Sequence, residues 1–204
     1  KQLKHDWNLA SRKIITLAST HAPEEEKLLK LLKPYLEQNP DCLVIIVPRH
    51  PERFDDVFNI AKTLNLNTQR RSLNQSIQPD TQVYLADSMG EMWLWYALSQ
   101  ACFVGGSLNE PGGGHNILEP MVVNVATVIG PNYFNFQSIV DEFLQANAVV
   151  VGQSEHEIAQ LLVRCLENQI FAQQLSQHAI EVLNRNKGSL QKHIAAIDRF
   201  LSKL

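Results

Sequence analysis

Five of the nine glycines in this 204-residue chain fall within GGSLNEPGGGHNILEP, residues 105–120. Glycine costs roughly 1 kcal/mol against alanine inside regular structure, so a cluster of them marks a place where side chains must be kept away. Gly112, Gly113 and Gly114 lead straight into His115, Asn116, Ile117, Leu118 and Glu119. A glycine approach to a helix N-terminus turns backbone N–H groups toward an anion, and the helix dipole adds to the attraction. Asn116 and Glu119 are three apart and project from one face of the first turns. A carboxylate there accepts hydrogen bonds from two vicinal hydroxyls, as ribose offers. The chemistry this spacing suits is the binding of a nucleotide with a single phosphate, its anion held by main chain and its sugar by an acid. A plain turn is the alternative reading of the same glycines.

The elements that must carry these residues alternate along the chain. Strand-like runs are IITLAS (14–19), CLVIIV (42–47), a weaker 67–72, VYLAD (83–87), ACFVGG (101–106), VATVIG (125–130) and AVVVG (148–152). Helical patterns cover 23–39, 51–65, 90–100, 116–123 and 136–146, and residues 154–204 read as helices only, with Gly188 as the expected break. Pro34 predicts a kink or a shortened last turn in the first of these. Alternation with short connections predicts a single α/β, Rossmann-like domain: a six-stranded parallel sheet with helices on both faces and a helical C-terminal tail. Ligands of such sheets sit beyond the carboxyl ends of the strands. The residues just past those ends are Ser19-Thr20-His21, Pro48-Arg49-His50, Asp87-Ser88-Met89-Gly90-Glu91, Gly105-Gly106-Ser107 and Gly130-Pro131, so polar and flexible residues converge on one rim from separate stretches.

Composition narrows the partners. A net charge of −3, with no basic cluster larger than the doublets Arg12-Lys13 and Arg70-Arg71, argues against a nucleic-acid partner. Cys42, Cys102 and Cys165 are far apart and odd in number, which disfavours zinc and disulfides and reads as buried apolar side chains. His21, His50 and His115 lack metal-ligand spacing such as HExxH, so neither metal nor cofactor is expected. No run of 18 apolar residues exists to span a membrane. GxxxxGK[ST] is missing and no GxGxxG follows the first strand, which disfavours an ATP-cradling loop and a dinucleotide dehydrogenase. Trp93, Trp95 and Tyr96 read as packing a helix against the sheet, and Glu24, Glu25 and Glu26 as a solvated first turn favoured by the helix dipole. Arg49 has a bland alternative too, a pair with a surface acid.

The stretches ASTHAPEEE (18–26), VPRHPERF (47–54), DSMGEM (87–92), GGSL (105–108), GGHNILEP (113–120) and GPNYFNF (130–136) resemble, in order, the C-terminal half of transferases of 3-deoxy-D-manno-octulosonic acid (Kdo). That family adds Kdo to lipid A in Gram-negative bacteria. The loop Asn109-Glu110-Pro111-Gly112 departs from the family's form by one extra residue, which bears on its conformation. The resemblance implies a GT-B glycosyltransferase whose second domain binds the donor CMP-Kdo, with metal-independent transfer and inversion at the anomeric carbon. Carried over by motif, Pro48, Arg49, Met89, Gly90, Glu91, Asn116, Ile117, Leu118 and Glu119 contact the CMP. Glu119 falls on the ribose hydroxyls, backbone near 115–117 on the phosphate, and Arg49 on cytosine or phosphate. Ser19, Thr20 and His21 face the Kdo or the domain cleft. Residues 1–204 are expected to form this one domain, with 154–204 as its helical tail. The family's general base and membrane anchor lie in the acceptor domain, which binds the lipid A precursor and is expected to be absent here. The full enzyme is expected at the cytoplasmic face of the bacterial inner membrane, this part being soluble and inactive alone. Two other readings stay open: the donor domain of a GT-B enzyme using a UDP-sugar, and a non-catalytic nucleotide-binding module.

Overall fold

The computed structural model describes residue 7, residues 9–74 and residues 76–201, with side chains described through Lys187. β1 (Lys13–Thr20) is followed by α1 (Glu24–Gln38), β2 (Cys42–Pro48), a 3-10 turn Pro51–Arg53, α2 (Phe54–Thr63) and β3 (Thr68–Arg70). A second 3-10 turn, Arg71–Leu73, precedes β4 (Val83–Leu85), α3 (Met92–Leu98), β5 (Ala101–Val104), α4 (Leu118–Val122) and β6 (Ala126–Ile129). α5 (Gln137–Gln145), β7 (Val150–Val151), α6 (Glu155–Glu167) and α7 (Gln169–Leu201) complete the series.

All strands are parallel, in the order β3-β4-β2-β1-β5-β6-β7. The expected six strands are corrected to seven. The two edge strands are only three and two residues long and half-exposed in part, shorter than the runs 67–72 and 148–152 that read as strands. The central strands are apolar without alternation because both faces are covered. Their period-2 geometry then sorts side chains into layers. Ile15, Leu17, Val44, Ile46 and Phe103 meet Leu28, Leu29 and Leu32 of α1 and Ile158 and Leu162 of α6. On the opposite face, Ile14, Leu43 and Ile45 meet Trp95 and Leu98 of α3, while Cys102 and Val104 meet Met121, Val140 and Phe143.

Pro34 lies inside α1 without ending it, four residues before its C-terminus at Gln38. α7 runs unbroken through Gly188, correcting the expected break. Leu175 packs with the first layer and Ala179 and Val182 with the other, so this helix is seated against both. Chain order places the topological switch at β1, which pairs with β2 on one side and β5 on the other. The crevice a ligand would use therefore lies beyond the ends of β1 and β5.

Candidate functional site

The rim begins with a distortion. The register between β1 and β2 shifts between Ala18 and Thr20, and Ser19 takes φ +52°. A non-glycine residue in the left-handed region is a strained choice of the kind that accumulates at ligand sites. The shift lets the carbonyl of Thr20 accept from Arg49 N at 3.0 Å, which fixes the chain just after β2. Thr20 is fully buried, and its hydroxyl has no partner among the described residues.

Glu24 and Glu25 overturn their reading as a solvated turn, since both are completely buried. The Glu24 carboxylate accepts three backbone amides, from His21 and Gly106 at 2.9 Å and from Leu108 at 3.0 Å. It therefore ties the end of β1 to the end of β5 across the switch point. Burial pushes its pKa up, with the amide donors opposing the rise. Gly105 is obligatory beside it: a Cβ there would meet Ser19 O at 2.6 Å and Glu24 Oε2 at 2.7 Å. Glu25 is held by both guanidinium nitrogens of Arg53, at 2.6 and 3.1 Å. Only Glu26 is a surface acid as expected, paired with Lys30 at 2.5 Å.

The triple glycine has a partly different task from the one read in the sequence. A Cβ on Gly112 would lie 2.4 Å from Asn109 O, and one on Gly113 would lie 2.3 Å from Asn135 Nδ2. The glycines thus admit the chain's own loop after β6, and the amides of Gly113 and Gly114 are spent on Asn132 O and Gly106 O, at 3.1 and 2.8 Å. The next three amides differ. Among the described residues no acceptor of the chain meets the N–H groups of His115, Asn116 or Ile117. The helix behind them has only five residues, shorter than the expected 116–123, so the amides themselves and not a long dipole favour an anion. Asn116 Oδ1 accepts from Leu118 N at 3.0 Å in a local turn just before the helix, whereas the half-buried Glu119 carboxylate has no hydrogen-bond or ion-pair partner among the described residues. Ile117 is buried in the core and Leu118 packs against it, so neither side chain is a polar contact for a ligand.

Three imidazoles meet above the crevice. His21 Nε2 and His115 Nε2 are 2.8 Å apart, and the two rings lie within 10° of one plane with centres 5.1 Å apart. The rings are therefore joined edge to edge through their nitrogens. His50 stands across His21 at 75°, also 5.1 Å between centres. Burial, then His50, holds His21 below the ordinary histidine range, and burial, then His21 and Arg49, pushes His115 down to about 4. Arg49 itself is exposed and has no ion pair or side-chain hydrogen bond among the described residues, which sets aside the surface-pair alternative.

The segment 87–91 is gripped from the edge strand. Asp87 accepts from Arg70 Nε at 2.6 Å, from Ser72 N at 2.8 Å and from Ser72 Oγ at 2.5 Å. Glu91 accepts both nitrogens of Arg71, at 3.0 and 2.9 Å, and the Ser88 hydroxyl. Between these anchors Met89 is 69% exposed and Gly90 takes φ +81°. Met92, one residue on, packs against the cluster holding Ile117 and Met121, which brings this segment beside Glu119.

The rim thus gathers His21, Arg49, the 115–117 amides and Glu119. The Glu91 carboxylate is engaged internally, and the side chain of Pro48 is buried. Trp95 and Tyr96 pack as expected, but Trp93 is 50% exposed. The three cysteines are buried and free, with thiols pushed up to about 12 by burial. Among the described residues no three His, Cys, Asp or Glu side chains, the imidazole trio included, are arranged to hold a metal ion. Sequence reasoning missed Glu24, Glu25, Arg53, Arg70 and Arg71. Two acids placed within five residues of a strand's polar end were the available signal for the first pair.

No family model matches the chain. It is 37% identical over 193 residues to a 3-deoxy-D-manno-octulosonic acid transferase of Haemophilus influenzae, covering 94% of this chain and 45% of that protein. A Rickettsia typhi protein of the same name is 30% identical over 203 residues, covering 98% of this chain and 44% of its own. The chain therefore spans less than half the length of these curated relatives. Among solved structures, the C-terminal CMP-Kdo binding domain of WaaA from Acinetobacter baumannii superposes with a TM-score of 0.87 and 60% identity, over 89% of this chain and 94% of that one. The C-terminal domain of the Francisella tularensis group 1 glycosyl transferase LpcC shares the fold at a TM-score of 0.61 and 13% identity, covering 90% of both chains.

Proposed function

The chain belongs to the 3-deoxy-D-manno-octulosonic acid transferase family, and on that premise we propose that it is the donor-binding domain of such an enzyme, holding CMP-Kdo at the carboxyl rim of the sheet. The observation that carries this is the 60% identity, over nearly all of both chains, to a domain described as binding CMP-Kdo. The rim supports the same reading. Three unpaired amides at 115–117 offer the phosphate an anion site without desolvating a charge of the protein. Arg49, with no partner of its own among the described residues, is placed to add the countercharge to phosphate or to contact cytosine. The Glu119 carboxylate, equally unengaged, takes the ribose hydroxyls, while Met89, Gly90 and the backbone of Glu91 line the base. Ser19, Thr20 and His21 face the Kdo.

Residues 1–204 act in this reading as one Rossmann-like half of a GT-B enzyme of lipopolysaccharide synthesis. The acceptor-binding half supplies the lipid A precursor, the general base and attachment to the cytoplasmic face of the inner membrane. Among the described residues no helix is long and apolar enough to cross a membrane. Transfer with inversion then needs both halves, and this chain contributes donor binding and leaving-group stabilisation. Titration calorimetry of the chain with CMP, UMP and UDP tests the assignment: CMP is expected to bind tightest, and a clear preference for UDP ends it. Kdo transfer to a lipid A precursor by this chain alone would overturn the division of labour.

A further inference from the structure

The joined imidazoles of His21 and His115 do something that none of the assigned contacts requires. Their two Nε2 atoms face one another at 2.8 Å. A bond of that kind exists only if one ring donates its Nε2–H and the other accepts with a bare Nε2. The donor ring then keeps a bare Nδ1. One further proton can be added there without breaking the bond, whereas a second would set two N–H groups against each other. The pair is a store for one positive charge.

The surroundings set when that charge is welcome. His50 stands edge-on to His21, Arg49 follows β2, and Arg53, paired with Glu25, lies in the turn beyond, so the unpaired fixed charge facing the cluster is the cation of Arg49. Of the acids of α1, Glu25 pulls the His21 pKa back up in part although it is paired with Arg53, and Glu24 is committed to three backbone amides. Gly106 makes the arrangement possible: a Cβ there would come within 3.0 Å of the His115 ring and 3.5 Å of His21. An anion entering between Arg49 and the two rings would reverse the local balance.

We propose that His21 and His115 act as one anion-binding unit of the donor site, taking up a single proton from solvent as an anionic group of the donor, phosphate or carboxylate, binds. The inference rests on the donor-site reading above and adds the coupling of binding to protonation. Burial, and after it the neighbouring charge of Arg49, disfavours the charged form of both rings, and an incoming negative charge opposes that bias. Affinity for the anion then rises as pH falls, by up to about tenfold per pH unit where the pair titrates between its free and bound states.

Calorimetry of this chain in buffers of different ionisation enthalpy counts the protons. CMP, cytidine and free Kdo are the probes, each measured between about pH 5 and 8. The wild type is expected to take up more protons on binding CMP than the double variant His21→Gln/His115→Gln, whose side chains hydrogen bond without titrating. Uptake with CMP and none with cytidine identifies phosphate as the partner, and uptake only with Kdo identifies the carboxylate. Equal uptake by wild type and variant with both CMP and Kdo, or as much uptake with cytidine as with either anionic probe, overturns the proposal. Should the variant fold poorly, NMR titration of the wild-type imidazole C–H signals gives the same answer. Their pKa must rise on adding an anionic probe, and an unchanged or lowered value overturns the proposal. A chain that binds no CMP at all removes the donor-site reading itself, whereas binding with an unchanged proton count removes only this inference.

Discussion

Arg12 and Arg49 stand at opposite ends of neighbouring strands, and their surroundings could hardly differ more. Arg12, just before β1, is 7% exposed and donates to the carbonyls of Asp41, Cys42, Gln78, Pro79 and Thr81 at 2.5–3.3 Å. It sews the start of β1 to the start of β2 and to the connection leading into β4. Arg49, just after β2, is exposed and meets no acceptor among the described residues. A guanidinium that satisfies all its donors inside the protein has nothing left for a ligand. One that satisfies none is stabilised only by water or by something that binds. At the amino-terminal rim the cation is spent on the chain's own carbonyls, and at the carboxyl-terminal rim it is not.

The contrast can be broken most forcefully at Arg12. Arg12→Ala leaves buried carbonyls without donors and should lower unfolding stability by about 3–5 kcal/mol, read from urea denaturation, while the folded fraction keeps its CMP affinity. Arg49→Ala and Glu119→Ala should do the reverse, each weakening CMP binding by about 1.5–3 kcal/mol, roughly ten- to a hundredfold in Kd, and shifting stability by no more than about 0.5 kcal/mol. Asp87 sharpens the comparison, since it is buried at the ligand rim yet serves structure. Burial pushes its carboxyl up, but the hydrogen bonds from Ser72 and Arg70 outweigh this and hold it below the ordinary range. Its contribution is thus present above the unfolded-state pKa of about 3.9 and is lost as pH falls through the lower native value. Asp87→Asn should cost about 1–2 kcal/mol at neutral pH, and the gap from wild type should close in urea titrations at successively more acid pH. The smallest effect is expected from Glu91→Gln. Loosening the half-exposed Arg71 pair should cost at most about 1 kcal/mol of stability and weaken CMP binding a few-fold, measured by calorimetry.

Much of this frame was legible in residue order. Apolar runs such as CLVIIV can only be strands buried on both faces, and the helices between them carry their leucines at helical spacing. Glu119 stood out in the sequence as an isolated acid just after the glycine run, and the structure leaves its carboxylate without a hydrogen-bond or ion-pair partner among the described residues. What escaped is what depends on distant partners. Glu24 reads like Glu26 in sequence, yet its ligands include Gly106, 82 residues away. The doublet Arg70-Arg71 reads as a weak basic patch, yet each residue grips an acid on the far side of β4. The glycines of 112–114 were assigned to a ligand, and it took the Asn132–Asn135 loop, invisible as a neighbour in sequence, to show what crowds them. Both edge runs, 67–72 and 148–152, read as strands in the sequence; what the count of six missed is that each still pairs at its edge, over only three and two residues.

The seating of α7 has a further consequence for how the molecule comes apart. Leu175 is anchored in one layer, and Ala179 and Val182, about one and two turns further along the same helix, in the other. Neither layer can peel from the sheet without pulling this helix, and with it the opposite layer. Amide hydrogens on the two faces should therefore exchange through one shared opening event, with the same free energy and the same dependence on denaturant.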